Sequence, residues 1–492
     1  MKMSIIRAFL AAAALIGVIT PADAADDQRP NVLWIIADDL GIELGCYGQE
    51  HVATPHLDRL AREGVRFTRA FATSPVCSSS RTAFITGMYQ TTIGGHPHRT
   101  RKLPELPDAI RPATTIFRDA GYYVCNMNRP TGTRGKAKID YNFQHENLFD
   151  GNDWRGRAEG QPFFAQLQIK EPHRPFVSDT SPDRWKQIEL PPQYPDHPIT
   201  RRDWANYLAS IEVMDAKVGE VLDRLDAEGI ADNTLVVFFG DHGRPHVWGK
   251  QWLYEGGIHV PLIVRWPGRL QPGTVDERMV SLIDLAPTSL AAAGIEPPEV
   301  MQGVDFLAEG FHGRAAVFAA RDRCGDAIDR IRCVRTDRFK YIRNFEPQRP
   351  YTQRSGYKTL QYPVITLLEV LHERGALTPV QARFMAAEKP VEELYDLVAD
   401  PHETKNLADD PQYAGTLREL RTQLRDWIEE TDDRGTVPEG DAAYFEDLMA
   451  EKQAYFERAM RRRGLDPELS PQDYLQWWED QLGITGDPAP QN

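Results

Sequence analysis

The chain has 492 residues, with 57 Lys and Arg against 72 Asp and Glu and a formal net charge of −15 at pH 7. That balance argues against a nucleic-acid-binding surface; an anionic substrate stays open, because Arg, Lys, His and a metal can invert the potential inside one cleft. Apolar residues make up 41%, with ten Trp, 36 Gly and 36 Pro, which excludes a disordered chain and suits an α/β enzyme with long, shaped loops. At about 150 residues per domain, two domains fit the length.

Lys2 and Arg7 lead an apolar stretch over residues 8–19, and Ala22-Asp23-Ala24 offers a small-x-small cleavage site. This predicts a secretory leader over 1–24 and a periplasmic or secreted mature protein. The apolar run is short for a bilayer span and no later segment reads as transmembrane, so no membrane insertion is expected. Five cysteines, Cys46, Cys77, Cys125, Cys324 and Cys333, are an odd number for an oxidising compartment and mark one as special. Cys324 and Cys333 are close enough in sequence to bridge, and two buried thiols are an equal reading.

Residues 31–37 form a continuous apolar run, expected of a central parallel strand, that ends at Asp38-Asp39. Residues 55–63 predict a helix stopped by Gly64, and residues 114–120, Gly121 and 122–124 repeat a helix-glycine-strand rhythm. Residues 163–169 predict a strand running into Lys170-Glu171-Pro172-His173, and 203–228 a long amphipathic helix closed by Gly229. Residues 234–239 predict a strand that delivers Gly240-Asp241-His242-Gly243, and 260–266 one more. The alternation means a doubly wound α/β domain with a mostly parallel sheet flanked by helices over 25–310. From 311 to 492 a smaller α+β domain is expected. It holds short antiparallel strands at 315–320, 331–336 and 339–342, a helix at 411–428, an irregular insertion over 351–390 and a charged helical tail from 440.

In such sheets ligands collect beyond the carboxyl ends of the strands, where Asp38-Asp39, His173 and Asp241-His242 all fall. Two adjacent carboxylates at a strand end repel each other, and a divalent cation relieves both the repulsion and the burial cost. Oxygen-rich ligation favours a hard cation, Ca²⁺ or Mg²⁺, over a thiolate-preferring metal; two ordinary turns are the competing reading. In Cys77-Ser78-Ser79-Ser80-Arg81 a small nucleophile opens a run with helical character through Met88. Free N–H groups and the positive dipole end would face an anion there, and a reduced cysteine in a serine-rich turn is the plain alternative.

The chain resembles the type I sulfatases of the alkaline phosphatase superfamily from residue 31 to about residue 407. The resemblance is carried by 31–39, Thr54-Pro55-His56-Leu57-Asp58, the 77–87 signature, Glu171-Pro172-His173-Arg174-Pro175 and Gly240-Asp241-His242-Gly243. Lys250 with 253–261, Glu393-Leu394-Tyr395-Asp396-Leu397, Asp400-Pro401 and Asn406-Leu407 complete it. It implies an alkaline-phosphatase-like fold and a sulfuric ester hydrolase. It also implies that a formylglycine-generating maturation enzyme oxidises Cys77 to an aldehyde whose hydrate attacks sulfur, displaces the alcohol and then expels sulfate. Carried over by position, Asp38, Asp39, Asp241, His242 and modified Cys77 would hold the cation. Arg81 would orient the diol, Lys250 would clamp sulfate, and His173 would protonate the leaving alcohol.

Two departures stand out. Where many sulfatases have Gly-Lys-Trp-His, the nearest match is Lys138-Ile139-Asp140-Tyr141-Asn142, which gives Lys138 to the sulfate clamp and Asp140 to the base position, with His145 as fallback. Ser79 stands where Pro or Ala is usual in the signature. For the substrate, His96, His98 and Arg99, then His259, Arg321 and Asp322, are candidates on the cleft rim, suited to a sulfated sugar or polysaccharide. Two alternatives remain: a phosphodiesterase or phosphonate hydrolase of the same superfamily, and an unmodified, non-catalytic binder of sulfated glycans. Sequence leaves the oligomeric state open.

Overall fold

The computed structural model describes residues 29–131 and 135–484; the expected leader and the last eight residues lie outside the described residues. A seven-stranded sheet is built from β1 (Asn31–Ala37), β2 (Val65–Phe71), β3 (Tyr123–Met127), β4 (Phe163–Ile169), β5 (Thr234–Gly240), β6 (His259–Arg265) and β7 (Thr274–Ser281). Its order is β3-β4-β1-β5-β6-β2-β7. Pairings are parallel except those of β6, which runs antiparallel to both β5 and β2. A second sheet, β8 (Ala316–Arg321), β9 (Ile331–Thr336), β10 (Phe339–Asn344) and β11 (Glu392–Asp396), is fully antiparallel in the order β11-β10-β9-β8. The fold is thus a mostly parallel α/β sheet followed by a smaller antiparallel one.

The helices in chain order are α1 (Pro55–Glu63), α2 (Cys77–Thr86), α3 (Ala113–Asp119), α4 (Arg184–Gln187), α5 (Pro198–Ala227), α6 (Glu255–Ile258) and α7 (Leu285–Ala292). They continue with α8 (Gly356–Gln361), α9 (Pro363–Glu373), α10 (Pro379–Ala382), α11 (Ala414–Glu430), α12 (Ala442–Arg462) and α13 (Pro471–Gln481). All seven residues of β1 are buried, because helices cover both of its faces. Leu33 and Ile35 point into one apolar layer with Leu208, Ile211 and Val218 of α5, and Val32, Trp34 and Ile36 into the other with Phe84 of α2 and Phe117 of α3. This is the period-2 alternation of a strand, here hidden in the sequence because both faces are apolar. A further apolar cluster joins α2 (Ala83) to the second sheet (Val334, Tyr341) and to α11 (Leu420, Leu424, Trp427).

One expectation changes, and two points left open by the sequence are decided. β6 is antiparallel, and the flanking strands β2 and β7 carry charged residues (Arg66 and Arg69; Asp276, Glu277 and Arg278) that leave no continuous apolar run to mark them. The segment 351–390 is helical: Pro363 sits in the first turn of α9, where its missing N–H costs nothing, and Val364, Ile365, Leu367, Leu368 and Val370 are buried. Cys324 and Cys333 are both buried and free, as are Cys77 and Cys125, and Cys46 is free and half-buried. No described helix is long and apolar enough to cross a membrane.

Candidate active site

The sheet ladder itself places the acidic pairs. Asp38 N–H donates to the Ile169 carbonyl of β4 at 3.1 Å and Asp241 N–H to the Ala37 carbonyl of β1 at 3.0 Å, so the parallel pairing extends one residue past each strand. Gly240 precedes Asp241 because a Cβ there would lie 2.5 Å from the Leu40 carbonyl oxygen. Asp39 adopts φ 66°, a left-handed conformation that costs a non-glycine residue free energy; its N–H is held by Asp241 Oδ1 at 3.0 Å.

Against these strand ends lies α2, buried along its whole length, with Val76 extended before it and Gly87 (φ 66°) closing it. Its polar residues all find partners, as buried polar groups must. Ser78 Oγ accepts from Arg99 N–H at 3.0 Å, Ser79 Oγ donates to the His96 carbonyl at 2.8 Å, and Ser80 Oγ donates to the Asp241 carbonyl. Arg81 Nε donates to Asp241 Oδ2 at 2.9 Å and its Nη1 to Gln168 Oε1 at 2.6 Å.

Cys77 is thereby carried into a knot of ionisable groups. Its Sγ lies 3.4 Å from Asp38 Oδ1, 3.7 Å from Asp39 Oδ1, 3.3 Å from His242 Nε2 and 3.4 Å from Lys250 Nζ. Ligand atoms of Asp38, Asp39, Cys77 and His242 all lie within 4.8 Å of one another. His242 Nδ1 faces the Gly243 carbonyl at 3.0 Å, which turns Nε2 toward the cluster. This buried set of two carboxylates and an imidazole fits a hard divalent cation. Asp241 stands at its edge: its Oδ1 is 3.7 Å from His242 Nε2, and its other oxygen is taken by Arg81.

Cations balance the carboxylates. Lys250 Nζ donates to both oxygens of Asp39 at 2.7 and 2.9 Å, and Lys138 Nζ to Asp38 Oδ2 at 2.7 Å. Burial by itself would raise the pKa of both aspartates, yet Lys138, His173 and Arg81 around Asp38, and His173, Lys250 and His242 around Asp39, hold both well below the ordinary carboxylate value. Burial likewise opposes the charged forms of His242 and Lys250. Asp241 and Asp39 outweigh it at His242 and Asp39 outweighs it at Lys250, so both are raised.

His173 follows β4 at the mouth of the cluster. Its Nδ1 is 2.5 Å from the Arg174 carbonyl and its Nε2 3.8 Å from Asp39 Oδ2. Burial pushes its pKa down against the pull of Asp39. The next residue, Arg174, is clamped by the Asp203 carboxylate and by the Pro245 and Gln361 carbonyls, between the rings of Phe176 and Tyr362. That anchor fixes the loop from which His173 projects.

Asp140 does not stand free as a base would. Both its oxygens accept from Arg99, at 2.9 and 2.8 Å, and Lys138 Nζ is 3.4 Å away. Burial is outweighed by Arg99 and Lys138, and the carboxyl lies well below its ordinary pKa, which makes it a weak proton acceptor. The expected fallback, His145, is exposed against the edges of Tyr141 and Phe143, outside the cluster.

The rim expectations are corrected in part. His98 and Arg99 line a cavity of about 440 Å³ whose wall includes His173 and Lys250. His96 is buried and does not line it; its carbonyl accepts from Ser79 Oγ. His259 lies elsewhere, stacked on Phe71 with Nε2 2.8 Å from the Thr68 carbonyl, and it lines a different cavity. Arg321 and Asp322, at the end of β8, are buried in the second sheet's ion pairs with Asp329 and Arg332. Residue type suggested a sugar site; register turned these side chains inward.

Residues that sequence reasoning missed include Gln168, which holds Arg81 and also donates to Asn126 Oδ1 at 3.1 Å; two glutamines in an otherwise apolar strand were the available signal. Tyr357 of α8 has its ring 5.5 Å from Lys250 Nζ and 6.2 Å from the His173 ring, and no local pattern pointed to it. A second cavity, of about 580 Å³, is lined by Asp38, Arg81 and Lys138 with Arg129, Lys136 and Lys170.

Known proteins resemble this chain in sequence and in fold. The sulfatase family model matches residues 30–295, and a model of the C-terminal part of N-sulphoglucosamine sulphohydrolase matches 240–352. An ulvan-active sulfatase of Formosa agariphila is 34% identical over 464 residues, covering 84% of this chain and 77% of the relative. Human N-sulphoglucosamine sulphohydrolase is 29% identical, covering 82% and 91%. Among solved structures, one in complex with its substrate D-glucosamine-2-N,6-O-disulfate superposes with a TM-score of 0.62 at 18% identity over 84% of this chain and all of that one. A phosphonate monoester hydrolase from Silicibacter pomeroyi shares the fold with a TM-score of 0.60 at 21% identity, over 83% and 97%. With its family model covering more than half the chain and a relative above 30% identity, the protein belongs to the sulfatase family.

Proposed function

We propose that this sulfatase releases inorganic sulfate from a sulfated carbohydrate outside the cytoplasm, using Cys77 in its aldehyde form and a divalent cation held by Asp38, Asp39, Asp241 and His242. The observation that carries the reading is the convergence on Cys77 Sγ of Asp38, Asp39, His242 and Lys250, each within 3.7 Å. Ca²⁺, or Mg²⁺ in its place, would supply Lewis acidity at the nucleophile and on a sulfate oxygen. The hydrated aldehyde would supply one hydroxyl to attack sulfur and a second whose deprotonation expels sulfate.

The chain's own residues do the rest. Lys138 and Lys250 now cover Asp38 and Asp39; with those carboxylates committed to a dication, both ammonium groups can turn to the sulfate oxygens. Arg81, pinned by Asp241 and Gln168, keeps its guanidinium beside the nucleophile. His173 keeps its Nε2 facing the cavity, where an arriving sulfate ester favours its protonated form and places an acid by the leaving oxygen. Asp140 positions Arg99 and Lys138.

Two measurements test this. After co-expression with a formylglycine-generating enzyme, the Cys77 peptide should be lighter by about 18 Da, the difference between SH₂ and O; unmodified thiol throughout would favour the glycan-binder reading. Sulfate release from a panel of sulfated mono- and disaccharides should then exceed hydrolysis of an aryl phosphodiester. A faster diester would move the protein to the phosphonate hydrolase side of the fold.

A further inference from the structure

We propose that α12 forms a second sugar subsite in the cavity that holds His173 and Lys250, taking an anionic sugar adjacent to the one that carries the scissile sulfate. The proposal rests on the sulfated-carbohydrate reading above and deepens it. It starts from how α12 is built. Leu448, Phe456 and Met460 are buried, with Phe456 and Met460 packed on Leu360 of α8 and Tyr474 of α13. Successive spacings of three place Lys452, Tyr455 and Arg458 on one side of the helix, and all three line the cavity.

The cations of this cavity differ in kind. Arg99 is committed to Asp140 through a bidentate pair. Arg323 is committed to Glu439, the His98 carbonyl and the Gly325 carbonyl. Lys250 is held by Asp39. On α12, Lys452 has one ion pair among the described residues, with Glu451 at 3.6 Å, a carboxylate that also lines the cavity and pairs with Arg101. Arg458 has no ion pair, hydrogen bond or ring partner among the described residues. An exposed guanidinium on a cavity wall without a partner is set to receive a carboxylate or sulfate in bidentate fashion.

Tyr455 stands between them and is 44% exposed. An aromatic ring partly open on a cavity wall, with a polar tip and no ring contact or hydrogen bond among the described residues, offers the flat apolar surface that a pyranose face covers. The volume of about 440 Å³ falls in the range of drug-sized ligand sites, about 300–1,000 Å³, which is room for more than one ring. Since α12 lies beyond the residues matched by either family model, this wall would set this chain's own specificity rather than the shared chemistry.

The test uses the full-length, matured enzyme and its Arg458→Ala and Tyr455→Ala variants. Their kcat/KM is measured on a sulfated monosaccharide and on sulfated disaccharides whose adjoining sugar is neutral, a uronate or itself sulfated. For Arg458→Ala, the ratio of anionic-disaccharide to monosaccharide kcat/KM should fall about tenfold, through KM, with the neutral disaccharide unaffected. Whichever anionic arm responds identifies carboxylate or sulfate. For Tyr455→Ala, all three disaccharides should lose ground to the monosaccharide. Ratios unchanged in both variants would overturn the subsite. Failure to release sulfate from any of these sugars would count against the functional reading instead. Calorimetric binding of the same disaccharides to Cys77→Ala protein, with and without Arg458→Ala, then decides the subsite alone: weaker binding supports it, equal binding overturns it.

Discussion

Replacing Asp140 with Asn separates two roles that position alone confuses. If Asp140 positions Arg99 and Lys138, the substitution loosens a bidentate pair whose guanidinium side chain is 55% exposed, so solvent screening limits the stability loss to about 1 kcal/mol. The kinetic loss should be larger, because Lys138 sits 2.7 Å from Asp38 Oδ2 and 3.4 Å from Asp140, and a clamp displaced by a fraction of an ångström stabilises the transition state less. The expected fall in kcat/KM is about 10- to 100-fold, or about 1.4–2.7 kcal/mol at 1.36 kcal/mol per decade, with the shape of the pH–rate profile kept. Asn should recover part of what Ala loses, since its carbonyl still accepts one hydrogen bond from Arg99. If Asp140 were instead the general base, its removal would cost about 10²- to 10⁴-fold and erase an acidic limb of the profile. Rates of Asp140→Asn and Asp140→Ala across pH 5–9, alongside thermal midpoints, decide between them. Equal, thousandfold losses with an altered acidic limb would refute the positioning role.

Chelation should lower the thermal midpoint and Ca²⁺ should restore it, since a ligand at 100 times its dissociation constant adds about 2.7 kcal/mol. Asp39→Asn should abolish the response, and a midpoint indifferent to chelator and to added Ca²⁺ or Mg²⁺ would remove the cation from the site. Ser79→Ala deletes the bond to the buried His96 carbonyl and should cost about 1 kcal/mol while leaving conversion of Cys77 undiminished. Peptide mass analysis showing less aldehyde would mean that the serine itself matters to maturation. Glu369, on α9, is pushed up to about 7 by burial and by Glu373, so its proton is bound more tightly in the folded state. Its stabilising contribution is full below pH 4.5 and lost as pH rises toward 7, by roughly 2 kcal/mol once partial exposure is allowed for. Glu369→Gln should therefore raise the thermal midpoint at pH 8 and change it little at pH 4; the opposite pH dependence would place the carboxylate in a favourable environment.

What the sequence by itself determined was local in origin. The runs 31–37, 163–169 and 234–239 become buried strands because segments this rich in apolar residues have no other stable place than between two helical layers. The polar residues that end them then have to lie at one edge of the sheet, which makes Asp38, Asp39, His173, Asp241 and His242 neighbours. Cys77 at the head of α2 was legible for the same reason: a helix start is written in a few adjacent residues.

Only the tertiary structure decided the rest, because contacts across long stretches of chain depend on register and packing. It turned β6 antiparallel, folded 351–390 into helices that bring Tyr357 to Lys250, and spent both oxygens of Asp140 on Arg99. It turned Arg321 and Asp322 inward into ion pairs and carried His259 to another cavity, since a residue's type says nothing of the direction in which its strand presents it. It also set α12, far from the signature in sequence, against the same cavity as His173. Strand-end chemistry follows from local pattern; the surface that chooses a substrate follows from which distant segments happen to pack together.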